Sequence, residues 1–434
     1  MRPPGSILLI ASNFPPVRGG SAVVYDNLAR NADGRIVVLT SKINYRDGLP
    51  IIGWREHDRH APFRIVRLPL LRTKLQRRQV GPIWKLLFII NDVWIRLRLV
   101  ATSLVVIRQE RISAVCIGEL LASGWMLGIL RWLPRMRLLV YVHGEEITTE
   151  DGYDKGARRR RQALLADRII AVSRFTRSAV RSVLGPSADA KLSLIGNGVD
   201  TARFHRGERQ PDLIDQYGLR GRFVFVSVCR LLEKKGIDNA IRAFAELDAL
   251  DQSCTYLIVG TGPFQPELQE MAAATGAKDR IIFTGEVTDD DLVDHYRLGD
   301  VFIMPNRELA NGDTEGFGLV FLEANSCGLP VVAGRDGGST DAVCHGQNGL
   351  VVNGSSVADI ASAMAALRSD AFLRARLCHG ARTVAAAADW KEKAALFVRL
   401  CAGEAEASPA CELPRALVPQ PGSQAPGEVG RRTA

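Results

Sequence analysis

No stretch of this sequence offers the roughly 20 uncharged apolar residues that a helix needs to cross a bilayer. The nearest approach, VGPIWKLLFIINDVWIRLRLVATSLVVIR, is interrupted by Lys85, Asp92, Arg96 and Arg98. The apolar core of the opening MRPPGSILLIASNF is too short for a secretory signal and reads as a first strand. Eight cysteines are scattered without CxxC or Cys/His ligand spacing. That distribution argues against zinc and a disulfide framework, and for buried thiols in a reducing compartment. Nucleic-acid recognition modules and basic–aromatic interleaving are missing too, although the chain is basic.

What is present describes an ordinary folded protein. Of 434 residues, 47% are apolar and 24% charged, enough for two domains of roughly 200 residues each. The net charge of +9 is unevenly placed. Residues 1–200 carry 32 Lys+Arg against 16 Asp+Glu, and the remainder carries 24 against 31. A basic half beside a mildly acidic one suggests that the first half meets a polyanion, and an anionic membrane surface fits at least as well as nucleic acid.

Short apolar runs alternate with helical patterns along the chain. SILLIAS, RIVVLTS, FRIVRLP, ISAVCIGE, RLLVYVHG, DRIIAVS and KLSLIGNG read as strands of the first half. FVFVSVCR, CTYLIVG, RIIFTGEV, VFIMPN, LPVVAG and GLVVNG do so in the second. Near-continuous apolar strands separated by helices indicate parallel sheets covered on both faces, so the fold class is α/β with two doubly wound, Rossmann-like domains. The expected divisions are residues 1–205, residues 206–381, a helix over 382–403 and a disordered tail over 404–434 rich in Pro, Gly and Ser.

Several turns carry chemistry-bearing residues. In SNFPPVRGGSAVVYDNLAR, Gly19 and Gly20 allow a sharp turn into a helix whose N-terminus suits a phosphate, although the spacing is not that of a dinucleotide fingerprint. In SVCRLLEKKG, Arg230 and Lys235 follow a strand and precede a helix, at the sheet edge where open α/β folds bind ligands. Gly260 and Gly262 form a tight turn in GTGP at the end of another strand. Glu315 and Glu323 flank the turn of DTEGFGLVFLEANSCGLPVVAG, with Glu323 two turns into the helix. Carboxylates repel phosphates but offer two acceptor oxygens to vicinal hydroxyls, so this pair suits a ribose and a hexose, with Gly316 and Gly318 keeping the loop thin.

EGFGLVFLE resembles the E-x7-E motif of retaining glycosyltransferase family four, enzymes of the GT-B fold. The supporting pieces fall in the family's order: GG, HG, AVSRFT, NGVD, R…KKG, GTGP, the acidic motif and GGSTDAV. The match spans residues 5–400, and the wording of the acidic motif looks most like phosphatidylinositol mannosyltransferase-like members. The resemblance implies that the helix over 382–403 crosses back to the first domain. It implies that Arg230 and Lys235 neutralise the donor diphosphate. Glu323 would bind the ribose, and Glu315 with Gly316, Phe317 and Gly318 the donor sugar. Gly20, beside Gly19, would approach the β-phosphate. His143 would sit near the anomeric carbon, and Gly285 to Val287 would border the base.

The expected activity is a hexosyl transfer, with retention, from a UDP- or GDP-linked sugar to a lipid-linked or glycan acceptor in cell-envelope or exopolysaccharide synthesis. No metal or cofactor is expected, and the acidic TDDDLVD is read as helix capping rather than an Asp-x-Asp metal site. The expected location is cytoplasmic, with peripheral contact at the cytoplasmic face of the inner membrane. Two readings of the long apolar helix stay open, a membrane-resting surface and a core helix. GARRRRQALLADR is similarly either a phosphate-facing cluster or a solvated helix. The alternatives for function are a non-catalytic nucleotide-sugar-binding subunit and a sugar-nucleotide epimerase or phosphorylase on the same plan.

Overall fold

Strands that are apolar on both faces must be covered on both faces, and that requirement organises the whole chain. The computed structural model describes residues 5–45, 47–73, 82–144 and 157–404. The first sheet holds β1 (Ser6–Ile10), β2 (Ile36–Ser41), β3 (Arg64–Leu68), β4 (Ile112–Ile117), β5 (Arg137–Val142), β6 (Arg168–Ala171) and β7 (Leu192–Leu194), in the order β3-β2-β1-β4-β5-β6-β7. The second holds β8 (Phe223–Val228), β9 (Cys254–Val259), β10 (Ile281–Gly285), β11 (Val301–Met304), β12 (Val331–Gly334) and β13 (Gly349–Val352), in the order β10-β9-β8-β11-β12-β13. The strands match the thirteen runs read from the sequence.

Every neighbouring pair is parallel. Leu8 of β1 faces Val37 on one side and Val115 on the other, and Phe225 of β8 stands between Tyr256 and Val301. All five residues of β1 are buried. Strand order reverses beside β1 and beside β8, and each reversal opens a crevice at the carboxyl ends of the strands.

The chain passes between the two sheets twice. Val199 N–H donates to the Ala388 carbonyl at 2.9 Å, so the two crossing segments run side by side. The last helix, Trp390–Ala402, is capped by Asp389, whose side chain accepts from Lys391 N–H. It packs on the helix Gly20–Arg30 and on β4 and β5 of the first sheet. Phe397 meets Tyr141 there at a ring-centroid distance of 6.2 Å.

The helix Pro82–Gln109 packs as a core helix along only part of its length. Its second half buries Ile95, Leu99, Ser103 and Val106 along one stripe, while the large apolar side chains of its first half are exposed. The arginine run forms the helix Ala157–Ala163, in which Arg159 is buried and Arg158, Arg160 and Arg161 are exposed. The seven cysteines among the described residues are free, and five of them are buried. No helix among the described residues is long and apolar enough to cross a membrane. The tail expected to be disordered lies, from residue 405 on, outside the described residues.

Candidate active site

The residues singled out in the sequence lie at the carboxyl edges of the two sheets. On the second sheet, β8 ends at Val228, and Arg230 and Lys235 follow before the helix Ile237–Asp248 begins. The Lys235 ammonium donates to the Glu315 carboxylate, and each side chain is only 14% exposed. Burial pushes the Glu315 carboxyl up. The Lys235 charge and hydrogen bond, with help from Lys234 and the Phe317 N–H, outweigh that push and hold it below the usual carboxylate range. Lys234 is itself buried and donates to Asp313 at 2.8 Å and to the Thr314 carbonyl at 3.2 Å, which fixes the loop that carries Glu315.

Glu323 sits one turn deeper, in the helix Leu319–Ser326. The Tyr296 hydroxyl donates to it at 2.7 Å. Burial raises its pKa, with the Tyr296 hydrogen bond and the charge of Arg203 only partly opposing. The two glutamates are therefore held oppositely: Glu315 as an anion beside a lysine, Glu323 as a buried carboxyl that ionises reluctantly.

Glycines let the loops of this edge lie flush. Gly318 starts the helix at φ 85°, in the left-handed region that glycine tolerates. A Cβ on Gly260 would lie 2.1 Å from the Cys229 carbonyl, and one on Gly262 would lie 2.2 Å from that of Leu231. The GTGP turn is thus pressed against the segment bearing Arg230. Gly285 ends β10, and Val287 just beyond packs partly buried against the core.

The first sheet supplies the opposite wall. The helix Gly20–Arg30 starts immediately after Gly19, with no acidic residue in its first turn. A Cβ on Gly20 would stand 3.9 Å from Leu319 Cδ1, so the N-termini of two helices, one from each domain, approach one another across the cleft. Both present unpaired N–H groups and positive partial charge to the same space. The loop before Gly19 is pinned by the half-buried Glu119, which accepts from the backbone N–H of Ser12 at 2.5 Å and of Asn13 at 2.8 Å.

His143 follows β5 and faces the same cleft. Its Nε2 lies 2.8 Å from the Tyr25 hydroxyl. That hydroxyl gives its proton to the Gly118 carbonyl, so Nε2–H of His143 is the donor to it. The His143 carbonyl oxygen would lie 2.3 Å from a Cβ on Gly316, so the two domains touch backbone to backbone at the site. Two ion pairs flank this contact, Arg18 with Glu286 and Arg174 with Asp341.

The structure brings Lys235, Glu315, Gly316, Gly318, Phe317, Gly20 and His143 to one cleft. Arg230 lies at the same edge but is exposed, with no hydrogen-bond or ion-pair partner among the described residues. The Lys235–Glu315 pair, the Tyr296–Glu323 and Tyr25–His143 bonds and the anchoring by Glu119 were not visible in the sequence. No spacing signals them, because each joins residues far apart in the chain. Among the described residues no group of three or more His, Cys, Asp or Glu side chains is placed to hold a metal ion.

Two parallel α/β sheets facing across a cleft, with paired helix N-termini and an acidic loop beside a lysine, define a GT-B architecture. Family models match both halves: "Glycosyltransferase Family 4" over residues 18–203 and "Glycosyl transferases group 1" over residues 210–384. Among similar proteins is a GDP-mannose-dependent alpha-(1-6)-phosphatidylinositol monomannoside mannosyltransferase of Mycolicibacterium smegmatis. It is 35% identical over 69% of this chain and 79% of its own length. The enzyme of the same description from Mycobacterium tuberculosis (strain CDC 1551 / Oshkosh) is 33% identical over 84% of this chain and 89% of its own. Anabaena HepE, solved in complex with UDP and glucose, shares the fold with a TM-score of 0.70 at 20% identity, covering 92% of this chain and all of that one. The chain belongs to glycosyltransferase family four and is a hexosyltransferase.

Proposed function

We propose that this enzyme transfers mannose, with retention, from GDP-mannose to a lipid-linked acceptor of the cell envelope, at a membrane face on the cytoplasmic side. The observation that carries the site reading is the convergence of two helix N-termini, Lys235 and Glu315 on one cleft between the domains. The names of the similar enzymes support the donor and the lipid acceptor, and the basic first half supports contact with an anionic membrane.

In this reading the donor diphosphate lies between the helix N-termini, and Arg230 and Lys235 neutralise it as it leaves. Glu315, with the backbone of Gly316, Phe317 and Gly318, holds the sugar hydroxyls. Glu323 holds the ribose, and Gly285 to Val287, next to the GTGP turn, border the base. The bond from the anomeric carbon to the phosphate oxygen breaks as the acceptor hydroxyl attacks from the same face. The acceptor proton passes to the departing diphosphate. His143, fixed by Tyr25, presents its side chain and carbonyl near the anomeric centre. The diphosphate is served by side chains and helix termini, and no resident cofactor is assigned a step.

The test is a panel of UDP-, GDP- and ADP-sugars screened by thermal shift, followed by nucleotide release with and without a lipid extract. GDP-mannose is expected to stabilise the protein and to release GDP only when lipid is present. Binding without release on any acceptor would favour the non-catalytic subunit, and consumption of donor without acceptor the epimerase.

Glu323 gives a pH prediction. Burial raises its pKa above the usual value of 4.5 in the free protein, and ribose hydroxyls donating to it favour the anion. Donor binding should therefore expel a proton. Affinity is expected to rise with pH through the window between the bound and free pKa values and to level off above the free one. Titration calorimetry in buffers of differing ionisation enthalpy reads the released proton directly. In Glu323→Gln the slope should vanish, and a slope that persists would place the titration elsewhere.

A further inference from the structure

Amphipathic helices show one apolar stripe, and a helix apolar all round belongs in an apolar surround. The first half of the helix Pro82–Gln109 is apolar all round and has no such surround among the described residues. Ile83, Trp84, Leu86, Leu87, Phe88, Ile89 and Ile90 are each between 44% and 71% exposed. At 3.6 residues per turn, the five consecutive residues Leu86 to Ile90 point in every direction around the axis. The second half behaves differently. There Ile95, Leu99 and Val106 form a buried stripe on the first sheet's domain, so the helix is held by its C-terminal half and presents its N-terminal half outward.

We propose that residues 83–97 form an in-plane anchor that sinks among the acyl chains of one anionic leaflet, a proposal that rests on the membrane-acceptor reading above. A second copy or a partner protein would cover one stripe of the helix and leave the others wet. Hydrocarbon covers all of them. The segment is about 22 Å long at 1.5 Å per residue, short of a bilayer core of about 30 Å, so it lies in one leaflet and does not span.

Charge sets the orientation. Arg72, Lys74, Arg77 and Arg78 precede the apolar segment in sequence, Lys85 lies within it, and Arg98 follows. Entry tip-first would carry Lys85 toward the bilayer centre at high cost. Lying in the plane lets the exposed Lys85 and Arg98 reach the headgroups. Asp92 is the only acidic residue between 72 and 109, and it is paired with Arg96 at 2.6 Å, so it adds no repulsion toward an anionic leaflet. The basic charge of the first half thus guides approach, while the apolar segment holds.

The full-length protein is mixed with vesicles of equal phosphatidylglycerol and phosphatidylcholine and sedimented at low salt and at about 1 M salt, where the Debye length shrinks to about 3 Å. Binding is expected to survive high salt, and dibrominated acyl chains are expected to quench tryptophan fluorescence, with the loss smaller in Trp84→Phe. Leu87→Gln and Ile90→Gln, both on the exposed part, should each weaken partitioning about tenfold without changing donor affinity. Binding that high salt releases, with no quenching, overturns the anchor and leaves a peripheral membrane contact standing. Failure to bind any vesicle overturns both. A doubling of mass in solution that Leu87→Gln/Ile90→Gln abolishes overturns the anchor in favour of pairing with a second copy.

Discussion

Lys235→Ala is expected to slow turnover about a hundredfold or more, the loss of roughly 3 kcal/mol that follows removal of a donor aimed at developing negative charge. Arg230→Ala is expected to cost about as much. The two variants should differ in stability. Arg230 is exposed and makes no ion pair among the described residues, so its removal should leave thermal unfolding unchanged. Lys235 is paired with Glu315 in a site where each is 14% exposed, and its removal strands a buried carboxylate, an effect of about 3–5 kcal/mol when such a pair is broken.

The pH dependence separates these contributions. In the parent, Glu315 has a lowered pKa, so the pair contributes stability above the unfolded value of 4.5, and that contribution is lost as pH falls through the folded value. In Lys235→Ala the same carboxyl, left with its burial, should move upward and protonate more readily. The stability gap between variant and parent is then widest near neutrality and narrows in acid. Removing the carboxylate as well, in Lys235→Ala/Glu315→Gln, should recover much of the stability but none of the turnover. Melting curves across pH and single-turnover rates measure the two effects separately. Turnover within a few-fold of the parent for Lys235→Ala or Arg230→Ala would sink the diphosphate assignment.

Gly316→Val is expected to lower kcat/KM by about two orders of magnitude while leaving nucleotide affinity within a few-fold. Its Cβ would lie 2.3 Å from the His143 carbonyl oxygen of the other domain, a backbone atom that cannot swing aside as a flexible side chain does. The domains must part to make room, and a misplacement of reacting groups by about 1 Å can cost about a hundredfold. The Arg18–Glu286 pair adds little resistance to that separation. Arg18 and Glu286 are more than half exposed, and exposed pairs contribute about 0–1 kcal/mol. Small-angle scattering of the donor complex should show a larger radius of gyration than the parent. An unchanged rate would mean that the His143–Gly316 approach is not part of the working state.

Much of this fold was legible because parallel strands covered on both faces appear in sequence as plain apolar runs, such as SILLI and FVFVSV. The glycine turns were legible too, since Gly260 stands at the end of β9 and Gly318 directly before a helix. What distinguishes the two glutamates was not. Lys235 and Glu315 are 80 residues apart, Tyr25 and His143 118 apart, and Tyr296 and Glu323 27 apart. Those pairings depend on how the sheets are wound, and no local periodicity encodes them. The long helix was ambiguous for another reason: Lys85, Asp92, Arg96 and Arg98 interrupt its apolar character without forming a clean stripe. In the structure, one half of that helix is packed and the other is bare.

The return of the helix Trp390–Ala402 to the first sheet makes the second sheet an insertion in the topology of the first. The half of the protein synthesised first is therefore the last to be completed. Until residue 402 has emerged, Tyr141 lacks Phe397, and the helix Gly20–Arg30 lacks the neighbour that covers it. The inserted half, contiguous from β8 to β13, can close its own core earlier on the ribosome. A chain stopped at residue 389 would thus release a finished second domain tethered to a first domain with an open flank. The wound would lie in the domain that carries Gly20 and His143, far along the chain from the deletion.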